Sequence, residues 1–209
     1  MTLAPSDLLR KLAEHAERME QFGDASITTV VAAIDELDAR GGVLHQLRSV
    51  ARVERVSGRS LTRIEHATRD GKDDRAAAQR RADEEDRAPK KESPFAANKQ
   101  PHHRFQLLAP ERIAIAPAES VDRAAGAMRG EALIDPASGE CLRLAGRPAH
   151  FAPLIDRADF VFEYAQATPH GRMLSSMHLE YAGGLLFLRK QGVVRMRFTY
   201  ASLSQRERD

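Results

Sequence analysis

The chain has a single cysteine, Cys141, among 209 residues, so an intramolecular disulfide is excluded. A lone thiol fixes no compartment, because many exported proteins also lack disulfides. Charge of one sign is missing too: 32 basic and 30 acidic residues leave a formal charge of only +2. The signs are interleaved, which argues against a nucleic-acid surface, where clustered Lys and Arg must displace phosphate counterions. No apolar run approaches the ~20 residues that a membrane-spanning helix needs. The opening residues Met1 to Asp7 lack the basic stretch and apolar stretch of a signal peptide. Two expectations stay open there: a cytoplasmic protein, or one numbered from after a removed leader.

What is present reads as one helix followed by many strands. Pro5, Ser6 and Asp7 stand where a helix start and N-cap are expected. Leu8, Leu9, Leu12, Ala16 and Met19 then recur at helical spacing, and Phe22-Gly23 is the expected stop. Such a helix packs its stripe on a sheet. The alternative, a helix lying on a membrane, fits poorly with Glu14, Glu17 and Glu20. From Ala25 to Ile34 the chain is rich in β-branched residues. Gly41-Gly42 turns it into Val43–Arg55, with Val43, Leu47, Ala51 and Val53 on one face. Ser57-Gly58 turns again into Ser60–Thr68. Short glycine turns of this kind join an antiparallel meander.

Residues 72–101 interrupt the pattern as a charged insert, partly helical or disordered. Arg80/Glu84, Arg81/Glu85 and Asp83/Arg87 have the spacing of helical ion pairs, with almost no apolar stripe. The expectation is a solvated helix ending before Pro89, then a linker to about Pro101, with few buried contacts. A protein-docking role is the alternative. The chain as a whole, 1–209, reads as a single curved-sheet domain that contains this insert.

Strands resume at His103–Leu108 and Arg112–Ala116. A hairpin follows, with Gly130–Asp135 and Glu140–Leu144 joined through Pro136-Ala137-Ser138-Gly139. Leu154–Ala165 and Met173–Tyr181 alternate. Leu185–Lys190 and Val193–Tyr200 are expected as a last pair, with Gln191-Gly192 as their turn. About ten strands with no helix between neighbours argue against a parallel sheet.

Motifs for chemistry are scarce. His102 and His103 are adjacent and point to opposite faces of a strand, and the other histidines lack partners at ligand spacing, so no metal site is expected. Cys141 has no base at hand and reads as a structural thiol. No cofactor is expected, and the chain is not expected to be an enzyme. The informative feature is one-sided: Phe160, Phe162 and Tyr164 share a face, as do Met196, Phe198 and Tyr200, opposite charged residues. One helix is small cover for such a sheet. The sheet must close as a barrel, pack as a sandwich, or curve into a half-barrel with the helix as lid. The last leaves an apolar hollow, either filled by side chains or open to an acyl chain.

The order of several segments resembles a known family. These are Gly130–Gly139 with its Asp135-Pro136 turn, Leu142–Arg147, Asp156–Tyr164, Gly184–Lys190 and Arg195–Tyr200. Thr29–Gly42 and Arg69–Asp73 belong with them. Together they resemble the LolA-like superfamily of periplasmic lipoprotein carriers. The resemblance implies an unclosed antiparallel β-barrel with helical cover, a periplasmic location, and a cavity for lipid or for the acyl chains of a lipoprotein. The charged insert is foreign to that family, and no residue here aligns with the functional arginine of its carriers. The fold class expected is therefore mainly β, a strongly curved antiparallel sheet with an N-terminal amphipathic helix. The leading reading of function is a lipid- or acyl-chain-binding carrier. The alternative is a non-enzymatic envelope domain for protein interaction or sensing, with its cavity filled. Candidate cavity residues are Phe160, Phe162, Met177, Leu179, Phe187, Met196 and Phe198.

Overall fold

The structure is a computed structural model, and it describes residues 2–3, 5–56, 59–87, 92–119, 127–151, 155–185 and 188–202. In chain order the elements are β1 (Thr2–Leu3), α1 (Ser6–Asp24), β2 (Ser26–Leu37), β3 (Val43–Val56), β4 (Arg59–Arg69), β5 (Lys72–Asp73) and α2 (Arg75–Glu85). A 3-10 turn at Gln100–His102 leads into β6 (His103–Ala109), β7 (Arg112–Pro117), β8 (Met128–Asp135) and β9 (Glu140–Pro148). Then come β10 (Ile155–Glu163), β11 (Gln166–Thr168), β12 (Gly171–Met173), β13 (Ser176–Leu185) and β14 (Leu188–Ser202).

Twelve of these strands form one sheet in the order β1-β6-β7-β8-β9-β10-β13-β14-β2-β3-β4-β5. Every pairing in it is antiparallel. The sheet is two meanders, β6 to β14 and β2 to β5. They join where the last strand pairs with β2, from Ser202 opposite Ser26 to Gln191 opposite Leu37. The sheet does not close: β1 and β5 are its two edges. It curves as a half-barrel, and α1 lies on the inner face, touching β9 and β12 toward one side and β2 and β3 toward the other. β11 and β12 form a separate hairpin.

The register shows why one face is inner. Leu47, Ile34, Val194, Leu179, Phe160, Gly146, Gly130, Ile115 and Phe105 are successive partners across nine strands. The next row reads Ser49, Ala32, Met196, Met177, Phe162, Leu144, Ala132, Ile113 and Leu107. Directly paired residues share a face, so both rows lie on the inner side, and they are almost wholly apolar. The outer face alternates with them and is laced with ion pairs. Asp35 lies between Arg48 at 2.8 Å and Arg195 at 3.0 Å, and Arg112 meets Glu131 at 2.5 Å.

One side of the inner face is filled. Leu8 and Leu12 of α1 enter a core of Phe95, Phe105, Ile113, Ile115, Met128, Ala132, Ile134, Cys141 and Leu144. Each large apolar side chain so buried contributes about 1.5–3 kcal/mol. Farther along α1, His15 and Ala16 are buried, and Phe22 sets its ring 5.1 Å from His170 and 6.1 Å from Tyr200. The β11–β12 hairpin laps over the helix, where His15 Nε2 donates to the Arg172 carbonyl at 3.2 Å.

Five local expectations are corrected. Pro5 is the N-cap of the helix, its carbonyl accepting from the Leu8 and Leu9 amides; Ser6 and Asp7 lie inside the first turn, and no side chain caps it. It also runs through Gly23 to Asp24, because Gly23 is buried within the helix and its φ is not left-handed. Gln191-Gly192 is no turn but the interior of β14, with Gly192 opposite Tyr181. A Cβ there would meet the Tyr181 hydroxyl at 2.7 Å and the Asp35 carbonyl at 2.8 Å, so the glycine serves close approach within the sheet. Finally, residues 72–101 are not poor in buried contacts. Phe95 is 2% exposed, stacks on Phe105 at 5.7 Å and belongs to the core. Gln100 fixes this stretch by donating to the carbonyls of Leu9 at 2.8 Å and Phe95 at 2.9 Å. α2 does form, but Arg81 pairs with Asp74 at 2.7 Å rather than at the expected four-residue spacing. The Ser57-Gly58 turn, Pro89 and Leu154 lie outside the described residues.

Candidate functional site

The filled core leaves part of the inner face only partly covered. Over β13, β14, β2 and β3, the side chains of Met177, Leu179, Met196, Phe198, Val30, Ile34, Leu47 and Val53 are half-buried. Val194, Ala32 and Ala51 between them are buried. These residues occupy adjacent register rows and make one apolar strip. Three strand spacings of ~4.8 Å and the run from Val194 to Phe198 give it roughly 14 by 14 Å.

The sequence candidates separate into two groups. Phe160 and Phe162, with ring centroids 5.0 Å apart, pack against the filled core and form its boundary with the strip. Met177, Leu179, Met196 and Phe198 lie on the strip itself, with Leu179 opposite Phe160 and Val194, and Met177 opposite Phe162 and Met196. Phe187 lies outside the described residues. Val30, Ile34, Leu47, Val53 and Val194 complete the strip and were not among the candidates.

Polar groups bound the strip along the strand direction. At one end Glu36 is paired with Arg69 at 3.2 Å, and Tyr181 lies in the same row, its hydroxyl pKa raised by burial and by Glu36. At the other end lie the C-terminus of α1 and Tyr200, where Arg55 meets Asp24 at 2.9 Å. Burial pushes the Tyr200 hydroxyl up to about 12, so it stays neutral. Between these ends the rows carry no ionised side chain. Such a surface is suited to apolar contact.

Burial pushes the Cys141 thiol up to about 12, far from the thiolate a nucleophile needs. Among the described residues no group of three His, Cys, Asp or Glu side chains is placed to hold a metal ion. No helix among them is long and apolar enough to cross a membrane. Two depressions lie away from the strip. One of about 600 Å³ is on the outer face beside Arg112, Arg129, Arg143 and Arg147, and one of about 420 Å³ is beside β4.

No protein-family model matches the chain, and no curated protein matches it. Two solved structures are similar over most of their length. A DUF1329 family protein from Desulfovibrio piger ATCC 29098 is 11% identical, over 93% of this chain and 93% of its own, with a TM-score of 0.44. MucB, in its complex with MucA(peri), is 9% identical, over 94% of this chain and 96% of its own, with a TM-score of 0.25. At these identities and TM-scores neither likeness carries an argument about function.

Proposed function

We propose that the chain is a non-enzymatic binding module of the periplasm, which holds a lipid or the acyl chains of a lipoprotein on the inner face of its half-barrel. The observation that supports this is the apolar strip beside α1: continuous, without ionised groups, and left half-exposed by a core that fills only the other side. The periplasmic part of the reading rests on the resemblance to the lipoprotein carriers.

Each methylene laid on such a surface contributes about 0.8 kcal/mol when fully buried, so ten contribute about 8 kcal/mol. Ordering the chain and losing its free motion offset several kcal/mol of this. The net is an affinity weaker than the ~1 μM that 8 kcal/mol alone would give.

The test is binding of a fluorescent acyl probe. Met196→Asp puts a charge in the middle of the strip and away from the filled core, and it is expected to abolish binding. Glu163→Gln, on the outer face in an exposed pair with Arg143, is expected to leave it intact. Phe162→Asp is less informative, because Phe162 also packs on the core. A folded wild-type protein that binds no probe and carries no co-purified lipid refutes the reading. The interaction or sensing domain with a covered inner face then takes its place.

A further inference from the structure

The outer edge of β4 is covered in an unusual way. Among the described residues the sheet continues beyond β4 only as β5, which pairs with Thr68 and Arg69. The rest of that edge faces α2, and α2 meets it with side chains. The Gln79 carboxamide accepts from the Ile64 amide at 2.8 Å and donates to the Thr62 carbonyl at 2.7 Å. The side-chain amide thus satisfies one outward donor and one outward acceptor that the backbone of a neighbouring strand would otherwise take. Asp86 takes the remaining donors of Thr62, its amide at 2.7 Å and its hydroxyl at 2.8 Å. Gln79 therefore stands where a further strand would lie.

The cover is lightly held. α2 buries only Ala78 and Ala82, so its attachment is mainly these hydrogen bonds. Beside it, Leu61 is 62% exposed at the margin of the 420 Å³ depression, which Arg63, Ile64 and Glu65 also line. An uncovered strand edge is a template for pairing with another strand.

We propose that the β4 edge is a strand-acceptor surface closed by α2, and that its occupant once α2 leaves is the same edge of a second copy of this chain. Identical antiparallel edges satisfy a two-fold interface, since each copy offers the same donors and acceptors. β4 carries a bulge at Glu65, since Val50 pairs with His66 and Ala51 with Ile64, and Arg63 and Glu65 flank Ile64 there. An antiparallel second copy brings the Arg63 of each near the Glu65 of the other, so the charges on the edge are self-complementary.

The experiment compares the full chain with Gln79→Ala/Asp86→Ala and with the same double variant carrying Thr62→Pro. Proline at Thr62 removes an outward amide that bonds Asp86 and not β3, so the ladder inside the sheet is kept. By sedimentation velocity the wild type is expected to run as a monomer at concentrations where the double variant reaches twice the mass. Adding Thr62→Pro should return it to the monomer. Amide exchange at Thr62 and Ile64 is expected to be slow in the wild type and at least tenfold faster in dilute, monomeric double variant. A double variant that stays monomeric overturns the proposal, as does association that survives Thr62→Pro. Loss of the fold in both the double variant and Gln79→Ala alone also overturns it, because α2 would then be part of the core and no removable cover.

Discussion

Replacing Phe95 with alanine is expected to be among the most destabilising single changes available in residues 72–101, although that segment is the most polar part of the chain. The ring is 2% exposed and stacked on Phe105 at 5.7 Å, between α1 and strands β6 to β8. Truncating a buried phenylalanine removes its transfer free energy and leaves a cavity, together about 3–5 kcal/mol. Part of that loss is the ring pair, worth about 0.5–1.5 kcal/mol. For a domain of this size each kcal/mol moves the melting temperature by about 2–4 °C, so a fall of about 6–20 °C is expected. Urea unfolding followed by circular dichroism should show a lower midpoint with an unchanged slope, the mark of lost stability without a changed unfolded state. Arg80→Ala on α2 is the control and should stay within about 0.5 kcal/mol, as exposed substitutions do. A Phe95→Ala loss below about 1 kcal/mol would refute the placement of this segment in the core.

Two further outcomes follow from single residues. His15 and His103 are buried and their pKa values lie below the ordinary 6.5, chiefly through loss of solvation; His103 is held neutral by donating to Lys99 and accepting from the Met128 amide. The unfolded chain therefore binds protons first, and melting temperature should fall as pH drops from about 6.5 toward the lowered folded values, with a shallower fall in His15→Gln; a flat profile across that window would contradict this. Gly192→Ala should destabilise the centre of the sheet, since the Asp35 carbonyl 2.8 Å from the new methyl is backbone and cannot swing away; an unchanged urea midpoint would show that the approach is looser than described.

Much of the fold is legible locally. Alternation in residues 26–37, 43–56 and 155–163 and the glycine turns near Gly41 and Gly139 announce strands, and the Leu8–Leu12–Ala16 spacing announces the helix. What is not legible is pairing between distant segments. Nothing in Thr29–Ile34 says that its neighbour is Val194–Thr199, so the sequence alone assigns no face to Val30 and Ile34. Gly192 misled for the same reason: a glycine that makes a turn and one that admits a tyrosine from the next strand look alike until the partner is known. Phe95 was missed because one aromatic in a charged stretch leaves no periodicity.

The seam between β14 and β2 has a consequence for how the chain becomes a protein. Its twelve register pairs join residues that are about 155 to 175 positions apart, so the middle of the sheet cannot form until nearly all of the chain has been made. Emerging from the ribosome, the first meander has an apolar face and an open β2 edge, with its only cross-sheet partner not yet synthesised. Such a topology pays its loop-closure entropy late and folds slowly. It also leaves a long interval in which a holding factor can engage the chain before its two halves are stitched together.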